Sequence, residues 1–138
     1  MAPARTRSSV VSLAAIIDVV LVLVFVLIGR SSHDEGFTVI GTLQTWWPFL
    51  VGLAVGWIIC LAWRHPLGLL LPGIVIWVTT VVIGMLLRAA SDQGVEVAFV
   101  VVASVVLGVF LLGWRAIALA VVRLRSRRVA VPGHTGKV

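Results

Sequence analysis

Asp18 stands apart from the other acids: it lies inside an apolar run, Val10 to Gly29, otherwise interrupted only by Ser12. An unpaired carboxylate at such depth in hydrocarbon costs at least about 2.5 kcal/mol on insertion scales, so it needs a partner or a task. Counted from Val10, Asp18 sits about 12 Å in, near the expected depth of Thr79, Thr80 and Ser104 in later apolar runs. These hydroxyls are candidate partners, and so is Arg115. Two chemistries follow. A buried carboxyl can load and release a proton, which would make Asp18 a proton or cation site. Alternatively, an interhelical hydrogen bond or an Asp18–Arg115 ion pair would fix helix register. The structural reading is preferred, because no second titratable acid or histidine joins Asp18.

A second polar group comprises Arg30, His33, Asp34 and Glu35 in one short loop and Arg88, Asp92 and Glu96 in another. Brought to one face, they could bind an anionic headgroup, a metal or a partner; interfacial charges that neutralise one another are the simpler reading. No metal is expected, since His33, Asp34 and Glu35 are adjacent rather than spaced for one helix face. No haem is expected either, because His33, His65 and His134 fall at different levels. Nothing resembles a nucleophile with its base, a phosphate loop or paired carboxylates at one depth, so no catalytic residue, no cofactor and no enzyme are read here. The single cysteine, Cys60, has no disulfide partner in the chain. Gly52 and Gly56 form a G-x-x-x-G that permits close helix approach, within the chain or between two copies. Pro72 removes the hydrogen bond to the Gly68 carbonyl and predicts a kink.

The elements carrying these residues must be membrane helices. Of 138 residues, 61% are hydrophobic and 12% charged, against about 25% charged in a soluble domain. A span needs about 20 apolar residues, and the chain holds four. They are placed at residues 10–29, 43–63, 67–88 and 95–115 or 95–122, with a basic tail over 123–138 whose end is expected to be disordered. The expected fold is thus an all-α membrane protein, one domain over residues 1–122, built from two antiparallel hairpins. The first span resembles a secretory signal, but it is too long and lacks a small-x-small site, so it should remain as an anchor. Arg64-His65-Pro66 is a tight turn that makes the second and third spans antiparallel neighbours.

A net charge of +6 would suggest nucleic acid in a soluble protein; here the basic residues sit at span ends and report topology. One side collects Arg5, Arg7, Arg64, Arg115, Arg123, Arg125, Arg127, Arg128 and Lys137, and the other only Arg30 and Arg88. Nine against two places both termini in the cytoplasm of a plasma-membrane protein, with the basic tail against anionic lipid and no nucleic-acid partner. Trp46 and Trp47 would anchor the outer interface, and Trp63 and Trp114 the inner one.

The two outer loops share R-x-x-x-D-x-G, in Arg30 to Gly36 and Arg88 to Gly94, and each returning span ends in Trp-Arg, at Trp63-Arg64 and Trp114-Arg115. A duplicated hairpin in parallel orientation would produce this, as would the ordinary preference for basic residues and glycine at helix ends. If Arg115 matches Arg64, the last span stops near Trp114; if the span continues to Val122, Arg115 is buried about 12 Å deep. Both alternatives stand.

The set Asp18, Gly29-Arg30-x-x-His33, Pro48-Phe49-x-x-Gly52, Thr80-x-x-x-Gly84-Met85-x-x-Arg88 and Gly113-Trp114-Arg115 resembles the domain of unknown function 3054 family of small membrane proteins, common in actinobacteria, over roughly residues 12–115. The resemblance implies no activity; it marks Asp18, Arg30, His33, Arg88 and Arg115 as matched positions. Two functions are carried forward. One is a non-enzymatic accessory or assembly module of a larger envelope or respiratory complex. The other is a small homodimeric proton-coupled transporter or channel using Asp18, which rests on analogy with other four-helix carriers. A sealed Asp18 favours the first, a water-accessible one the second.

Overall fold

Runs this apolar can satisfy their backbone in hydrocarbon only as helices or closed barrels, and the computed structural model of the chain is helical nearly throughout the residues it describes, 4–32 and 37–129. Helix α1 spans Ala4–Ser32, α2 Val39–Ile59, α3 Val75–Ala90 and α4 Val97–Val129. With the turn before α3 counted in, each is long and apolar enough to cross a membrane, and the chain is a four-pass membrane helical bundle.

Local chemistry moves several boundaries from their expected places. α2 starts at Val39 rather than residue 43, because the Thr38 hydroxyl accepts a hydrogen bond from the Gly41 amide at 3.2 Å and caps the first turn. It ends at Ile59 rather than residue 63. Leu61 adopts φ of 50°, and the amides of Leu61 and Ala62 donate back to the carbonyls of Ile58 and Trp57 at 3.3 and 3.0 Å. That is the Schellman closure, with leucine where glycine is usual. The third span is broken rather than kinked: Leu69–Ile74 forms a wide turn in which Leu71 is extended, the Leu71–Pro72 bond is cis, and α3 proper begins at Val75. The Gly68 carbonyl, which Pro72 cannot serve, accepts from the Gly73 amide at 3.0 Å. α4 continues unbroken through 33 residues to Val129, so the first part of the expected tail is helical. Its length of about 50 Å exceeds the ~30 Å hydrocarbon core. Residues 130–138, with His134 and Lys137, lie outside the described residues.

The core is assembled from stripes at a spacing of four. α1 buries Ala14, Asp18, Val22 and Val26, and α4 buries Ala103, Leu107, Leu111 and Arg115. Asp18 and Arg115 therefore occupy positions where an aliphatic core residue would otherwise stand. Phe25 meets Phe49 edge-on, centroids 5.3 Å apart at 85°, and Phe99 joins them from α4. Helices α2 and α3 make the closest approach. A Cβ added to Gly52 would stand 2.7 Å from the Thr79 carbonyl oxygen and 2.9 Å from the Thr80 Cα, and one on Gly56 would meet Thr79 and Ile76. The G-x-x-x-G thus serves packing inside the chain.

Gly52→Ala is expected to lower the unfolding free energy by about 1–3 kcal/mol through overpacking. Gly113→Ala, whose added Cβ would meet nothing within 4 Å, should leave stability within about 0.5 kcal/mol. Leu61→Gly should raise it by about 1 kcal/mol by relieving the left-handed backbone. Detergent-titration unfolding followed by circular dichroism checks all three.

Candidate functional site

Arg115, fully buried on α4, reaches across to Asp18, fully buried on α1. The guanidinium engages the carboxylate as a fork: Nη1 donates to Oδ1 at 2.8 Å and Nη2 to Oδ2 at 2.6 Å. Two indoles complete the shell. Trp57 Nε1 on α2 donates to Oδ2 at 2.9 Å, and Trp114 Nε1 on α4 donates to Oδ1 at 2.8 Å. All four hydrogen bonds of the carboxyl group are accepted, the pattern of an ionised carboxylate. Arg115 Nη1 also donates to the Leu111 carbonyl at 2.9 Å, while the guanidinium carbon lies 4.7 Å from the Trp114 ring centroid.

The local structure of three elements makes this clamp. The closure at Leu61 ends α2 two residues past Trp57 and buries Ala62, which holds the Trp57 indole at the depth of Asp18. The broken turn before α3 brings Gly73 against α4, where a Cβ on Gly73 would stand 3.1 Å from Leu112 Cδ2 and 3.4 Å from Arg115 Cδ. Gly73 thus packs directly beside the arginine stem. From α1, Arg7 Nη2 donates to the Arg64 carbonyl at 3.2 Å and ties the start of that helix to the same end of the bundle.

The hydroxyls expected to serve Asp18 do not reach it. Thr79 and Thr80 donate to the Val75 and Ile76 carbonyls one turn back, at 2.8 and 2.6 Å, and Ser104 donates to Val100 at 2.7 Å. A hydroxyl on an apolar helix has its own i−4 carbonyl as the nearest acceptor. Trp114 is likewise no interfacial anchor, since its indole belongs to the clamp. The equivalence of Trp63-Arg64 with Trp114-Arg115 fails as well: Trp63 and Arg64 are exposed in the turn, whereas Arg115 is buried in mid-helix.

At the other end of the bundle, Arg30 Nη1 donates to the Gly41 carbonyl at 3.1 Å and the Thr45 hydroxyl at 3.2 Å. Arg88 Nη1 donates to Gln93 Oε1 at 3.1 Å, and its guanidinium lies 4.6 Å from the Phe99 centroid. Asp92 is exposed, with φ of 55°, in the turn after α3. His33, Asp34 and Glu35 lie outside the described residues. Among the described residues, no three His, Cys, Asp or Glu side chains gather as a metal-binding group.

The indoles give the clamp a specific signature. Trp57→Phe and Trp114→Phe should each lower stability by about 1.5–3 kcal/mol, the range for a hydrogen bond to a charged group. Arg115→Lys, which keeps the charge but loses the fork, should cost a similar ~1.5–3 kcal/mol. The unfolding midpoint of each variant in mixed detergent, compared with the parent chain, checks these values.

A family model described as a protein of unknown function, DUF3054, matches residues 15–118. The match takes in both Asp18 and Arg115 and leaves out the arginine-rich end of α4. No curated protein and no solved structure matches the chain. With more than half of its length matched, and the four-pass helical bundle on the page, the chain belongs to the DUF3054 family of membrane proteins.

Proposed function

We propose that the protein is a non-enzymatic membrane module, an accessory or assembly subunit that packs against a larger envelope or respiratory complex. The observation that carries this reading is the sealed state of Asp18, fully buried with four N–H donors on its carboxylate. A proton carrier needs a carboxyl that alternates between water and a release path, whereas a carboxylate saturated by donors works as a fixed joint. Much of the long α4 surface, including Val101, Val105, Val109 and Ile117, is apolar and exposed. Such a face suits lipid or a neighbouring helix.

Both termini are proposed to lie in the cytoplasm. Arg115 is buried in the protein and leaves the topology count, so nine basic residues on that side become eight, still against Arg30 and Arg88 on the other. The basic end of α4, with Arg123, Arg125, Arg127 and Arg128 exposed, would then lie along the anionic cytoplasmic leaflet. We read the four helices as two hairpins derived from one unit, supported by the shared loop motif and by Arg30 and Arg88 bordering a common cavity.

Three measurements test this proposal. Cross-linked purification from native membranes should return a larger membrane protein in stoichiometric amount; a clean homodimer instead would count against the module. Proteoliposomes of the wild type and of Asp18→Asn should show no proton-driven flux above empty vesicles. A flux that Asp18→Asn abolishes would support the homodimeric transporter. In a Cys60→Ala background, Asp92→Cys should react with an impermeant maleimide in intact cells and Arg125→Cys should not; the reverse pattern would invert the topology.

A further inference from the structure

We infer that the bundle end at which α1 begins and α4 finishes is a collar that binds a shell of several acidic phospholipids, with Arg7 and Arg64 acting together with Arg123, Arg125, Arg127 and Arg128. This deepens the leaflet contact proposed for α4 into a composite site with its own lipids, and it rests on the proposed topology only for which leaflet supplies them. The clamp brings Asp18 and Arg115 to one level. Arg7 stands eleven residues before Asp18, about 16 Å along α1, and Arg123 to Arg128 stand eight to thirteen residues past Arg115, about 12–20 Å along α4. Arg64 shares this level, since its carbonyl accepts from Arg7 Nη2 at 3.2 Å. The six arginines therefore occupy one band about 8 Å deep, close to the roughly 5–7.5 Å that one headgroup layer adds to the hydrocarbon. Asp18 is almost midway between Arg7 and Arg30 on α1, and half of the ~30 Å core is about 15 Å, so the band falls at its edge.

The chain itself does not neutralise this band. Of its five acids, Asp18 is held in the clamp, and Asp34, Glu35, Asp92 and Glu96 belong to the loops at the other end. Residues 1–3 and 130–138 contain no acid either. Arg64 and the four α4 arginines are exposed, and their side chains make no hydrogen bond or ion pair among the described residues. Two features identify the occupant. At about 100° per residue, the four α4 arginines spread over roughly 200° of the helix circumference, so they cannot close on a single anion and must meet several. Leu124 and Val129, 60% and 86% exposed, are interleaved with them. An acidic protein segment in water would leave those apolar side chains in contact with solvent, whereas a lipid shell takes both, with phosphates at the guanidiniums and glycerol and upper acyl chains along Val122 and Leu124. Basic clusters beside a transmembrane helix recruit acidic lipids in this manner.

Native mass spectrometry of the full chain in mild detergent, titrated with phosphatidylglycerol and phosphatidylcholine of identical acyl chains, tests the collar. At least two phosphatidylglycerols per chain should be retained, and phosphatidylcholine about tenfold less well. An arginine near an anionic surface contributes about fivefold in affinity, so Arg64→Gln, which keeps the carbonyl that Arg7 uses, should weaken retention about fivefold. Changing Arg123, Arg125, Arg127 and Arg128 together to glutamine should abolish the preference, and millimolar inorganic phosphate should not displace the lipids. In phosphatidylglycerol nanodiscs, a fluorophore on Leu124→Cys in a Cys60→Ala background should be quenched by lipids that carry a nitroxide at the headgroup. Retention in detergent reads lipid binding whichever way the chain faces, so an inverted maleimide pattern would move the shell to the other leaflet and leave the collar standing. Retention of no more than one lipid, equal retention of phosphatidylcholine, no effect of Arg64→Gln, a preference that survives the four α4 changes, displacement by phosphate, or a Leu124→Cys label beyond the reach of the headgroup quencher would each overturn the assignment.

Discussion

A carboxylate set among hydrocarbon chains must find donors or destabilise the fold, and Asp18 finds four, none of them on its own helix. Taking either ion alone out of water costs several kcal/mol, and the mutual attraction of a fork-shaped pair in low dielectric offsets that only when geometry is good and the remaining lone pairs are filled. Here the two indoles fill them. Because Asp18 and Arg115 stand 97 positions apart in the chain, the pair joins the first helix to the last and closes the bundle. Trp57 brings in α2, and Gly73 fits the start of the third span against the arginine stem.

The dependence of the rest of the structure on this joint follows from the solvent. Between helices in lipid there is little hydrophobic driving force, so a valine on the core face and a valine on the lipid face are nearly equivalent, and polar contacts or close packing must choose the register. Two devices make the choice. Gly52 and Gly56 set α2 against α3 by direct backbone approach, and the clamp sets α1 and α4 around that pair. The aromatic cluster of Phe25, Phe49 and Phe99 fills the space at the other end. Several local irregularities have a common purpose in this light. The left-handed Leu61 stops α2 just past Trp57, which meets Asp18, and the break at Pro72-Gly73 sets Gly73 beside the Arg115 stem.

The number of helices was legible from composition alone, because hydropathy needs no knowledge of faces. Their ends were less so: the caps at Thr38 and Leu61 are conformational events, and only Thr38 carries a residue type that advertises one. Asp18 and Arg115 were conspicuous as charges in apolar surroundings, yet the helical faces on which they lie could not be read, since an all-apolar helix has no polar side to point away from. The threonines were misjudged because a hydroxyl satisfies itself within its own helix. Trp57 was missed although a signal existed. An indole N–H within an apolar span requires an acceptor just as a carboxylate requires donors, and Asp18 and Trp57 answer each other. Trp77, whose indole donates to the Ser104 carbonyl at 2.9 Å, obeys the same rule.

The direct test of this joint is a double-mutant cycle on Asp18→Asn and Arg115→Gln, with unfolding free energies measured for all four proteins in one detergent system. Each single variant should lose about 3–5 kcal/mol, because it leaves a buried charge without its counterion. The double variant, which strands no charge, should be far more stable than the sum of the single losses implies, giving a coupling energy of at least about 2 kcal/mol. Losses that simply add, with a coupling energy near zero, would contradict a bundle closed by the Asp18–Arg115 pair.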